Sequence, residues 1–106
     1  MKVRLIPSKK IRKEFLLIYE LEGAQKAIDF LAKYYKIKRM RIVLDGRTVA
    51  RNYLAYYLEN TAYFKNTSLK KRVVLHEFYH HLIHNNQILS KREEQEANDY
   101  ARKMIK

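Results

Sequence analysis

Five consecutive residues, His76-Glu77-Phe78-Tyr79-His80, have the types and the spacing for metal chemistry. On an α-helix, residues four apart lie on nearly the same face, about 6 Å apart along the axis, so both imidazoles could reach one ion. Glu77 is turned by about 100° from His76. Its carboxylate would flank the site, where it could hold a metal-bound water rather than the metal.

The spacing H-E-x-x-H is one by which two His on a helical turn bind zinc while the Glu serves as general base. Four His in a basic, polar chain could meet that pattern by accident, and the flanking residues argue against it. Leu69 to Leu75 and Leu82-Ile83 continue a helical pattern, with Val74, Phe78 and Leu82 on one stripe and Leu75 and Tyr79 beside it. Ser68 or Thr67 is the expected N-cap. The motif therefore sits in an amphipathic helix that can be half buried. A catalytic zinc commonly has three protein ligands and an open fourth position. His84 extends the series, but on a straight helix it lies about 12 Å along the axis from His76. It reads instead as a C-terminal His, favourable to the helix dipole.

A second helix, Lys91 to Ile105, is expected beyond Asn85-Asn86-Gln87, with Ser90 as N-cap and Glu93 completing a capping box. Ala97, Ala101 and Ile105 form its apolar stripe. Glu94 and Asn98 fall on or beside that stripe, whereas Glu93 and Glu96 point more towards solvent. From His80 the first helix runs about 7 to 8 Å to its end, and the second returns about 5 Å to Glu94. An antiparallel pair thus brings the two level, and Glu94 is the expected third ligand. Asn98, one turn further on, could hydrogen-bond a ligand or be a buried or C-terminal Asn with no part in the site.

The pairing of His76-Glu77-Phe78-Tyr79-His80 with Glu94-Gln95-Glu96-Ala97-Asn98 resembles the gluzincin metallopeptidases. In that family a glutamate on a following helix is the third zinc ligand and an Asp or Asn stands four residues after it. With 106 residues and no apolar run approaching the roughly 20 residues of a membrane span, the chain is most similar to the minigluzincins, minimal relatives of the catalytic domains of membrane metallopeptidases. The Glu-x-Glu-Ala-Asn run also resembles, more distantly, the ImmA/IrrE-type peptidases. The likeness covers residues 76 to 98; the earlier part matches in its order of elements. The interval from His80 to Glu94 is short for gluzincins, and no glycine follows the motif. The resemblance implies a compact minimal zincin domain of α/β (α+β) class and occurrence as proenzyme as well as active peptidase.

The whole chain sets bounds on this reading. Its 106 residues suit a single domain, residues 1–106, with one core. The absence of cysteine leaves His and carboxylates as the metal ligands and suits a reducing, cytoplasmic setting. The start, Met-Lys-Val-Arg-Leu-Ile-Pro, lacks the apolar core of a signal peptide. A net charge of +12 could attract nucleic acid, anionic membrane or acidic substrates. The basic residues run from Lys2 to Lys106 with acidic ones among them, which argues against nucleic acid as the main partner.

Ahead of the motif, Val3, Leu5 and Ile6 form a short arm ended by Pro7. Ser8 caps a helix through about Glu22, with Ile11, Phe15 and Ile18 buried and Gly23 as its stop. Ala27, Ile28, Leu31 and Tyr35 mark a second helix. Met40 to Leu44 reads as a strand, Asp45-Gly46 as a turn, Thr48 to Tyr57 as a second strand or a helix, and Thr61 to Lys65 as a third strand after a turn at Asn60. The sheet is expected to be small and mostly antiparallel. If the third strand forms its edge over the metal, the backbone at Ala62, Tyr63 and Phe64 could hold an extended peptide by strand addition, as the resemblance also implies.

The expected function is that of a zinc-dependent metalloendopeptidase with one Zn²⁺ per chain, held by His76, His80 and Glu94, with Glu77 as base. Its substrates would be extended or unfolded polypeptides. The rivals are a non-catalytic, zinc-stabilised binding module and a basic nucleic-acid-binding protein. Finally, Arg102 to Lys106 combines charge with Met104 and Ile105. This segment, or that of a self-associated neighbour, is hypothesised to lie in the cleft as a latency device; the alternative is a helix end with Ile105 packed on the core.

Overall fold

A computed structural model describes residues 6–44, 54–65, 69–86 and 91–106. The expectations for Val3 and Leu5, for Asp45-Gly46, for Thr48 to Tyr53 and for a cap at Thr67 or Ser68 before the motif helix lie wholly or partly outside them. Four helices and a three-stranded mixed sheet make an α/β fold: α1 (Lys9–Glu22), α2 (Ala24–Tyr35), β1 (Arg41–Leu44), β2 (Ala55–Leu58), β3 (Thr61–Phe64), α3 (Lys71–Asn85) and α4 (Glu93–Met104).

The first two helices start and stop as their sequence dictates. The Ser8 hydroxyl accepts from the Ile11 N–H at 3.4 Å, an N-cap that satisfies one orphan donor of the first turn. Gly23 both ends α1 and begins α2, at φ 94° and ψ 175°, a backbone region that side-chain-bearing residues avoid. Phe15 is buried on α1, and Ala24, Ala27, Ile28, Leu31 and Ala32 on α2. The α2 terminus carries no glycine: Lys36 adopts the left-handed conformation (φ 60°) while the Ile37 N–H bonds the Ala32 carbonyl at 3.0 Å, a Schellman-type closure.

The strand order is β1-β3-β2. β2 and β3 form an antiparallel hairpin through Glu59 and Asn60, both at positive φ (47° and 63°), the geometry of a type I′ turn. β1 runs parallel to β3, so the sheet is mixed, with one parallel and one antiparallel pair. The central place falls to β3, whose Ala62 and Phe64 are fully buried. The expectation that Ala62, Tyr63 and Phe64 form an open edge is therefore corrected: both sides of β3 are already hydrogen-bonded to neighbours. Among the described residues the edges are β1 and β2. On β1, Gln25 of α2 takes up the outward groups, accepting from the Ile42 N–H and donating to the Met40 carbonyl, each at 2.9 Å.

α3 is the central helix. Val74, Leu75, Phe78, Tyr79, Leu82 and Ile83 are buried together with the polar Glu77 and His81. Its N-cap is Lys70, without a side-chain cap bond, two positions beyond the expected Ser68. α4 likewise starts later than the expected Lys91, with Arg92 as its N-cap and again no side-chain cap bond; the expected cap Ser90 lies outside the described residues. It buries Ala97, Tyr100, Ala101 and Met104, while Ile105 is 37% exposed. A residue seven positions on from Ala97 lies about 20° away around the helix and one eight positions on about 80° away, so Met104 takes the core place foreseen for Ile105. The last helical turn is thus packed on the core, about 15 Å along α4 from Glu94. In this conformation it does not occupy the cleft.

Candidate metal centre

Two antiparallel helices bring the site together. His76 and His80, one turn apart on α3, face the first turns of α4, where Glu94 reaches back between them. Its Oε2 lies 3.0 Å from His76 Nε2 and its Oε1 2.9 Å from His80 Nε2. The two Nε2 atoms are 3.3 Å apart. Two imidazole nitrogens at 2.0–2.1 Å from a tetrahedral ion would be separated by about 3.3 to 3.4 Å. The His76, His80 and Glu94 cluster, whose ligand atoms all lie within 4.8 Å of one another, could hold a metal ion. The Glu94 side chain is 77% exposed, which leaves one side of the cluster open to solvent.

The hydrogen bonds behind the rings decide what the front presents. His76 Nδ1 faces Asn98 Oδ1 at 2.8 Å, and His80 Nδ1 faces a carboxylate oxygen of Glu93. In the tautomer that donates from Nδ1 to its oxygen, each neutral ring keeps a lone pair at Nε2. In that tautomer two nitrogen lone pairs and two carboxylate oxygens converge with no proton among them. Such an arrangement repels itself unless a cation or extra protons sit within it.

Glu77 stands beside the same His76 nitrogen. It is 6% exposed, with Oε2 3.8 Å from His76 Nε2, and among the described residues no hydrogen bond holds its carboxylate. Burial raises its pKa above the ordinary carboxylate value and the Glu94 charge adds to that, while His76 and His80 pull the other way. The carboxylate is therefore close to the ligands without being one of them.

The neighbouring His81 is engaged quite differently. It is fully buried. Its Nε2–H donates to the Lys38 carbonyl, and its Nδ1 accepts from the Tyr57 hydroxyl at 2.9 Å. The Asn60 N–H donates to the same hydroxyl oxygen at 3.0 Å, and Asn85 bridges Asn60 Oδ1 (3.1 Å) and the His81 carbonyl (2.8 Å). This network pins the β2–β3 turn to the end of α3. Burial lowers the His81 pKa.

The sequence places His76, Glu77, His80, Glu94 and Asn98 in one site, and the structure brings those five together. His84 is exposed in the last turn of α3, away from the cluster. Ala62, Tyr63 and Phe64 belong to the middle of the sheet. Glu93 and Glu96 depart from their expected solvent-facing position: Glu93 meets His80, and Glu96 accepts from the Tyr79 hydroxyl at 2.8 Å. Sequence reasoning missed Glu93. The signal that could have found it is the i, i+3, i+4, i+7 spacing of Ala97, Tyr100, Ala101 and Met104, which turns Glu93 inward.

Comparison of the chain with known protein families, curated proteins and solved structures finds no match.

Proposed function

We propose that the protein is a zinc metallopeptidase of minigluzincin type, hydrolysing peptide bonds in extended or unfolded polypeptides. The observation that carries this reading is the convergence of His76 Nε2, His80 Nε2 and the Glu94 oxygens, with a buried carboxylate beside them. Two imidazoles whose Nε2 atoms are 3.3 Å apart, with one carboxylate converging on them, suit zinc. Bound there, zinc would supply Lewis acidity, polarising a substrate carbonyl and making water more acidic.

The chain's own residues supply the rest. Glu77, adjacent to the ligands and free of hydrogen bonds among the described residues, accepts a proton from the attacking water and delivers it to the leaving amine. Burial favours its protonated form more than solvent would, which eases the first of these transfers. Glu93 and Asn98 hold the two rings in the ligating tautomer.

The open edge of β2 is the candidate place for an extended substrate. Its pairing with β3 leaves the backbone groups of Ala55 and Tyr57 directed away from the hairpin, without partners among the described residues. β2 runs alongside α3, with Tyr57 at His81 and Asn60 at Asn85. Two strand residues and four helical residues each span about 6 to 7 Å, which puts Ala55 about level with Glu77. Among the described residues no helix is long and apolar enough to cross a membrane, and the absence of cysteine suits a cytoplasmic setting.

Glu77→Gln tests the chemistry. The amide cannot accept the proton, so the variant should keep its zinc and its fold and lose cleavage of a denatured protein. Full cleavage by that variant would refute the role given to Glu77. Zinc-loaded parent protein with no peptidase activity would leave the second reading, in which the ion clamps α3 to α4, as the better one.

A further inference from the structure

We propose that Glu93 is a positioning residue of the metal centre, its carboxylate fixing His80 with the lone pair at Nε2 and making it the stronger of the two His ligands. The inference rests on the zinc reading above and concerns a residue outside the ligand set.

The two imidazoles are held by different chemistry. Behind His76 stands the neutral amide oxygen of Asn98, at 2.8 Å. Behind His80 stands a carboxylate, in direct hydrogen bond with Nδ1. A hydrogen bond to a carboxylate is roughly twice as strong as one to a neutral acceptor. It also pulls the Nδ1 proton outward, which raises electron density at Nε2 and so the ring's basicity as a ligand.

The local structure commits Glu93 to this task. Helix α4 begins at Glu93, after Arg92 as N-cap. A glutamate of a capping box stands three residues after the cap, so Glu93, the first helical residue, is not placed to fold back in that way. As the first residue of the helix it stands at the positive end of the dipole. Its side chain is 37% exposed and that of His80 is 13% exposed, so the pair is partly shielded from water. Glu94, the next residue, approaches the other nitrogen of the same ring at 2.9 Å. Adjacent glutamates on α4 thus grip His80 from both sides, one as candidate ligand and the other from behind.

Competitive zinc titration of the parent, Glu93→Gln, Glu93→Ala and Asn98→Asp proteins tests this, with melting of the metal-free forms and cobalt(II) absorption spectra as further readouts. Glu93→Gln keeps the shape and an acceptor oxygen but removes the charge. It should bind zinc several-fold to about tenfold more weakly, and Glu93→Ala about 10- to 100-fold more weakly. Both should retain the tetrahedral cobalt spectrum, and metal-free Glu93→Gln should melt as the parent does. Asn98→Asp, which gives His76 the same kind of partner, should bind zinc more tightly. Unchanged zinc affinity in both Glu93 variants would reduce the contact to a tie between helices and overturn the inference. Loss of the cobalt spectrum in Glu93→Gln would make Glu93 a ligand and overturn it as well, and Asn98→Asp without tighter binding would contradict the carboxylate argument. A parent protein that binds no zinc would be a failure of the underlying metal reading, seen before any variant is compared.

Discussion

His80 and His81 share a peptide bond, yet the helix turns them by about 100° into environments with opposite demands. Toward the sheet, His81 finds a donor in Tyr57 and an acceptor in the Lys38 carbonyl, so each nitrogen is matched and the ring is closed off as part of the core. Toward α4, His80 finds oxygen acceptors at both nitrogens, Glu93 at Nδ1 and Glu94 at Nε2, and a neutral ring has one proton for the two. The mismatch recurs at His76, between Asn98 and Glu94. Burial alone does not separate a structural histidine from a ligand; the count of protons against acceptors does.

The comparison breaks most visibly under substitution. His80→Ala should weaken zinc binding by more than the roughly hundredfold that loss of an outer partner costs, while His81→Leu should bind zinc with nearly parental affinity, as measured by competition with a chromophoric chelator. Equal loss in both variants would erase the distinction. Stability should show the reverse. His81→Leu leaves the Lys38 carbonyl without its partner, while the Tyr57 hydroxyl keeps its contacts with Asn60, and unfolding by denaturant should find the metal-free protein less stable by about 1 to 3 kcal/mol.

Much of this was legible in the sequence. Helical spacing from Val74 to Leu82 and the H-E-x-x-H run fix the faces of α3, and the distance along two antiparallel helices selects Glu94. Two other features were hidden for different reasons. Sheet order depends on pairing between strands distant in the chain, which the alternation within β3 does not encode; Ala62 and Phe64 look the same at an edge or in the middle. On α4 the error was one of phase. A stripe drawn through Ala97, Ala101 and Ile105 rotates the helix so that Glu93 faces solvent, whereas the buried set of Ala97, Tyr100, Ala101 and Met104 turns it towards His80. The same phase can be tested: Met104→Ala should lower stability by about 2 to 4 kcal/mol, and Ile105→Ala by well under half of that, in parallel thermal melts. A larger loss at Ile105 would restore the earlier phase.

The smallest expected effect is the dependence of the His81 network on pH. Its pKa is lowered in the folded protein, so below the ordinary value of about 6.5 the unfolded chain binds more protons there than the folded one. The stability gained by keeping this ring neutral is present above about pH 6.5 and declines as pH falls towards the lowered folded value. With chelator present throughout, the stability difference between the parent and His81→Leu should therefore shrink on acidification. A difference that grows would contradict the neutral, donor-matched ring.

The central claim, that the α3–α4 face gathers ligands for one metal ion, is tested most directly by zinc content. Native mass spectrometry of the parent, incubated with zinc and exchanged into volatile buffer, should show one zinc per chain, and Glu94→Gln together with His80→Ala should show none. A parent that emerges free of zinc, or a double variant that carries as much zinc as the parent, would contradict the account.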